Sequence, residues 1–150
     1  MAPGAALVVD AANVVGSRPD GWWRDRAGAA SRLVSALAEA LSTGALDGPV
    51  VVVLEGAARA GAPATGTDAP GTDDACTDAS GPVGARTDEP GPRVVHAPAD
   101  GDSAIVAEVN NLVAAGAEPT VVTADRGLRA RVEAAGGNVV GPSWLRDRLP

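Results

Sequence analysis

The sequence predicts an α/β fold, a three-layer sandwich on a central, mainly parallel sheet of about five strands. Three observations carry that prediction. Short Val-rich runs alternate with stretches of helical period. The strongest run, residues 49–54, has no polar alternation, the pattern of a strand buried on both faces. Acids recur where the strands end: Asp10 in VVDAAN, Glu55 in VVVVLEG, Asp102 in HAPADGDSAI and Asp125 in VVTADRGL.

Taken in order, residues 5–9 read as a buried strand, followed by the turn-rich GSRPDGWW. Over residues 23–41 the apolar positions Ala27, Ala30, Leu33, Val34, Leu37, Ala38 and Leu41 share one helical face. Gly44 and Gly48-Pro49 end that helix. After the strand at 49–54, the 32 residues 61–92 are dominated by Gly, Pro, Ala, Thr and Asp. Such a segment buries too little apolar surface to offset its ordering entropy, so it is expected to be a disordered insertion within one domain spanning 1–150. The α/β pattern then resumes. Residues 93–96 form a strand, and 102–115 a helix with Ile105, Val106, Val109, Leu112 and Val113 on one stripe. Residues 120–123 form a strand, 126–135 a helix stopped by Gly136-Gly137, and 138–140 a strand. Ser143 is the expected cap of a last short helix reaching Leu149.

Composition narrows the function classes. The net charge of −7 is concentrated in residues 61–92, where Asp68, Asp73, Asp74, Asp78, Asp88 and Glu89 face Arg86 alone. The remainder is close to neutral, so charge neither demands nor excludes a nucleic-acid partner. Lys, Phe, Tyr and Gln are absent and Ile occurs once, a bias that fits a GC-rich genome better than a binding function. A single cysteine, Cys76, rules out an intramolecular disulfide and a cysteine zinc site. No secretory signal and no membrane-spanning run is visible, so a cytoplasmic protein is expected, with no membrane partner. P-loop and GxSxG motifs are also absent.

In an open parallel sheet, ligands bind beyond the carboxyl ends of the strands. Carboxylates brought there from distant sequence repel one another unless a cation holds them together. Oxygen donors suit hard ions, so Mg2+ or Mn2+ is the expected cofactor. Asp10, Asp102 and Asp125 are the expected metal ligands and catalytic residues, with Glu55 a further candidate ligand. Asn13 could support a ligand or a metal-bound water. Ser17, Arg18, Ser103 and Arg126 could contact phosphate or support the ligands. Each acid has a plainer alternative: Asp102 and Asp125 precede helices and could be N-caps, and Glu55 could be a solvated loop acid. At least one of Trp22 and Trp23 reads as core at a helix start, with base stacking by one of them the alternative. His96 reads as a core residue.

The motifs resemble those of NYN domains, a branch of the PIN-like nuclease superfamily, and short actinobacterial NYN-like proteins in particular. VVDAANVVG resembles the opening D-G-x-N-V signature, GDSAIV the D-D-x-I segment, and VVTADRGLRARVEAAGGNVVGP the closing strand–Asp–helix–strand element. By position, Asp10, Asn13, Asp102 and Asp125 match, and Glu55 stands where some relatives carry an acid. The departures are Ala11 for the signature Gly, Ser103 for the second Asp, and Arg129 where some members place another acid. These losses favour one metal over two. The resemblance implies a PIN-like fold and divalent-metal-dependent hydrolysis of RNA. Similar short proteins are also labelled NTP pyrophosphohydrolases, so hydrolysis of a nucleotide pyrophosphate at the same pocket is the alternative, although no Nudix-type glutamate cluster is present. A third expectation, motivated by Ser103 and Arg129, is a catalytically weak module that binds RNA or a protein partner, or self-associates.

Overall fold

The computed structural model describes residues 5–16, 24–62, 64, 91–98 and 100–150. In chain order they form β1 (Ala5–Asp10), α1 (Ala11–Gly16), α2 (Arg26–Thr43), β2 (Val50–Leu54), a 3-10 turn (Gly56–Gly61) and β3 (Arg93–His96). Then follow α3 (Gly101–Ala114), β4 (Glu118–Val122), α4 (Arg126–Ala134), β5 (Asn138–Val140) and α5 (Pro142–Arg146). The strands make one five-stranded sheet in the order β3-β2-β1-β4-β5. Every pairing is parallel. The expected α/β class is found, with no antiparallel strand among the described residues.

Period-two alternation divides the core into two layers. Leu7 and Val9 of β1, with Val50, Val52 and Leu54 of β2, pack with Ala30, Leu33 and Leu37 of α2, Val14 of α1 and Leu145 of α5. Val8, Val51, Val53 and Val121 point the other way, onto Ile105 and Val109 of α3 and Leu128 and Val132 of α4. All five residues of β2 are buried, as its unbroken apolar run predicts.

The helices start and stop for local reasons. Asp25 caps α2, its Oδ1 accepting from Gly28 N at 2.9 Å, and Ala29, Ala30, Leu33, Leu37 and Ala40 form the buried stripe. Gly44 ends α2 at φ 87°, a left-handed conformation that a side chain disfavours. Arg93 at the start of β3 pairs with Glu108 of α3 at 2.5 Å.

Several boundaries differ from the sequence expectation. Helix α1 follows β1 at once, so Asn13 lies in a helix rather than a loop. Six residues are too few for periodicity to reveal. The N-cap of α3 is Asp100, which accepts from Ser103 N at 3.0 Å; Asp102 sits in the first turn instead. Ser143 is not the cap of α5: Gly141 holds that position and Pro142, pre-set for a first helical turn, follows it. His96 is at the end of β3, half-buried, its Nε2 donating to Ala62 O at 2.7 Å rather than lying in the core. Strand β4 begins at Glu118, and Pro119 is accommodated because pairing with β5 starts only at Thr120.

Ser17, Arg18, Trp22, Trp23 and nearly all of the expected insertion at 61–92 lie outside the described residues. No described helix is long and apolar enough to cross a membrane.

Candidate functional site

The strand order creates the site. From β1 the chain steps to β2 and β3 on one side, then returns to place β4 on the other side of β1. The carboxyl ends of β1 and β4 therefore flank a topological switch point, where open α/β sheets bind ligands. Asp10 ends β1, and Thr123 and Asp125 follow β4. By strand parity Asp10 and Thr123 continue the Val8 and Val121 face, towards α3 and α4.

Asp10 is 8% exposed and Thr123 fully buried. The Thr123 hydroxyl donates to Asp10 Oδ2 at 2.9 Å, and Asn13 N donates to Oδ1 at 3.3 Å. The Asn13 side chain works on the neighbouring loop: its Oδ1 accepts from Ala124 N at 2.7 Å. Asp125 N in turn donates to Thr123 Oγ1 at 3.1 Å. Thr123 and Asn13 thus lock the end of β1 to the β4–α4 loop. Asp125 caps α4 through Leu128 N at 2.9 Å, so the capping alternative is realised in it, while the residue itself remains exposed.

Asp102 is half-buried in the first turn of α3. Glu55 follows β2, and its Oε1 accepts from Gly101 N, at the start of α3. A Cβ at Gly101 would stand 2.5 Å from that oxygen, so only glycine allows the contact. Ser103 is exposed and its N–H is spent on the Asp100 cap. Arg126 and Arg129 are exposed on α4.

The acids feel one another. Burial pushes the Asp10 carboxyl up to about 6, its hydrogen bonds to Thr123 and Asn13 oppose this, and the charges of Asp102 and Glu55 raise it further. Burial raises Asp102 too, reinforced by Asp125, Asp100 and Glu55 and opposed by Arg131. Asp100 is held below the usual carboxylate range by the Ser103 side chain and N–H. Asp10, Asp102, Asp125 and Glu55, collected from four segments, therefore share one electrostatic neighbourhood.

Among the described residues, no three acidic, His or Cys side chains converge into a ready-made metal cage. The donor set nonetheless fits a hard cation. It offers carboxylate oxygens only, and their mutual repulsion is what a cation would relieve. Magnesium keeps several waters and takes one or two carboxylates directly, so a closed cage is not required of it.

Sequence reasoning missed Thr123, Gly101 and Arg131. Thr123 reads as an ordinary strand residue because Thr favours strands. Its position immediately before the Ala124-Asp125 strand end was the available signal. A cavity of about 320 Å³ lies at the opposite, amino edge of the sheet among Ala5, Leu46, Thr120 and Trp144, away from the acids.

No family model and no curated protein sequence matches the chain. Among solved structures, a crystal structure of Rae1 (YacP) from Bacillus subtilis is similar, with a TM-score of 0.61 at 18% identity. The likeness covers 96% of this chain and 74% of that one. At this identity it speaks to the fold alone, and it supports the NYN/PIN-like fold that the sequence motifs imply.

Proposed function

We propose that the chain is a divalent-metal-dependent ribonuclease that hydrolyses phosphodiester bonds at the switch-point carboxylates. One observation carries this reading: the Asp10 carboxyl is buried at the switch point, clamped by Thr123, within the field of Asp102 and Glu55. Burying a carboxylate beside other carboxylates costs stability, and a bound cation would offset that cost.

Asp10 and Asp102 would hold Mg2+ or Mn2+, with Asp125 on the adjoining loop as a third oxygen donor. When bound, the ion supplies positive charge to the phosphate and activates water for attack on phosphorus. Thr123 fixes the orientation of the Asp10 carboxylate. Asn13 holds the loop that carries Asp125. Arg126, exposed beside Asp125, would take a phosphate oxygen. No protein nucleophile is needed.

The test incubates purified protein with single-stranded RNA and, separately, with nucleoside triphosphates, with and without manganese. Asp10→Asn and Asp125→Asn run alongside. Manganese-dependent RNA cleavage lost in both variants supports the proposal. Cleavage that survives both substitutions places the activity elsewhere. Turnover of triphosphates alone favours pyrophosphate hydrolysis, and RNA binding without turnover favours a binding module.

A further inference from the structure

A pocket of about 150 Å³ opens beside Glu55, lined also by Ala11, Ala12, Val15, Arg26, Ala30 and Ala58. Its apolar wall comes from α1, α2 and the 3-10 turn, and it starts at the residue after Asp10. Small side chains leave the space: most of the lining residues are alanines. Drug-sized ligands need roughly 300 Å³ or more, so this volume suits one ring rather than a whole nucleotide.

The polar group on the wall is directional. Glu55 lines the pocket, and its Oε1 accepts from Gly101 N. A carboxylate only accepts hydrogen bonds, so it selects a ring that presents a donor. Among pyrimidines, cytosine presents the N4 amine, the group that Glu and Asp read, whereas uracil presents a carbonyl oxygen there. Arg26 also lines the pocket, and a guanidinium plane offers bases a stacking surface.

We infer that this pocket receives a cytosine base whose phosphate lies at the Asp10 carboxylates, with Glu55 as the base-reading residue rather than a metal ligand. The inference rests on the ribonuclease reading for the phosphate position. Gly101 is a positioning residue: its N–H fixes one Glu55 oxygen, and a carboxylate has further lone pairs with which to accept from the base.

The test is binding, which needs no turnover. Full-length protein, with magnesium chloride present to screen the carboxylates from the phosphate, is titrated calorimetrically with cytidine 5′-monophosphate, uridine 5′-monophosphate, adenosine 5′-monophosphate and ribose 5-phosphate. The cytidine nucleotide is expected to bind about tenfold more tightly than the uridine nucleotide, as one hydrogen bond to a charged group allows. Glu55→Gln, which can donate to a carbonyl, is expected to abolish or reverse that ratio. Ala58→Leu, filling the pocket, is expected to weaken the cytidine nucleotide and leave ribose 5-phosphate unchanged. Equal affinity for cytidine and uridine nucleotides, an unchanged ratio in Glu55→Gln, tighter binding of the adenosine nucleotide, or no nucleotide binding would each overturn the inference. The ribonuclease reading stands or falls separately, on whether RNA cleavage depends on Asp10 and Asp125.

Discussion

The Thr123 hydroxyl reaches Asp10 across 113 residues of sequence and closes a 2.9 Å hydrogen bond at the point where the strand order reverses. That bond joins the last residue of β1 to the loop that carries Asp125. Thr123→Val keeps the shape and removes the donor, leaving Asp10 Oδ2 buried without a hydroxyl partner. The variant is expected to lose about 1–3 kcal/mol of stability in urea unfolding at pH 7.5. Its Asp10 should titrate higher than in the wild type by NMR, since the Thr123 bond is what most opposes burial. Thr123→Ser should restore both. An unchanged Asp10 titration in Thr123→Val would mean the bond does not form.

The raised Asp10 carboxyl has a definite pH signature. In the folded protein it lies at about 6, against an ordinary value of 3.8, so the folded state binds the proton more tightly than the unfolded chain. That contribution to stability is fully present below the ordinary value and is lost as pH rises through about 6. At neutral pH the ionised group therefore costs about 3 kcal/mol without a cation. Asp10→Asn is expected to be more stable than the metal-free wild type at pH 7.5, by roughly 1–3 kcal/mol, with the gap closing towards pH 4. Thermal unfolding across that range measures it. A variant less stable at every pH would refute the burial cost.

Asp125 combines a cap and a charge, and substitutions separate them. Asp125→Asn keeps an acceptor for Leu128 N and removes the charge; Asp125→Ala removes both. The first should leave the melting temperature nearly unchanged and abolish metal-dependent cleavage. The second should also cost about 1 kcal/mol of stability. Equal destabilisation by the two would assign Asp125 a purely electrostatic role.

Gly101 carries a steric prediction. A Cβ there stands 2.5 Å from Glu55 Oε1. Gly101→Ala is expected to destabilise by about 1–3 kcal/mol despite the better helix propensity of alanine. Adding Glu55→Ala should recover most of that loss in a double-mutant cycle. Additive effects would show that the two residues do not meet.

How far the sequence foretold this arrangement depends on the range of each interaction. The buried runs around Val8, Val52 and Val121 were legible because both faces of a parallel strand are covered, and unbroken Val is the result. Asp10 and Asp125 were legible as polar residues ending such runs. The role of Thr123 was not, because a Thr beside a Val run is ordinary in a strand and its partner lies on another one. Asp100 and Asp102 flank Gly101, and sequence alone does not decide which of them caps α3; the bond from Ser103 N does. The Glu55–Gly101 contact spans 46 residues and most of the acidic segment between them, so no local pattern announces it.

Direct measurement of divalent-cation binding tests the central claim, that the switch-point carboxylates form a hard-cation site. Manganese is titrated into wild type, Asp10→Asn and Asp102→Asn at pH 7.5, with free ion followed by electron paramagnetic resonance. The account predicts saturable binding in the wild type, weakened by about tenfold or more in each variant, as loss of a charged ligand implies. Manganese bound equally well by all three proteins, or not bound by the wild type, would contradict it.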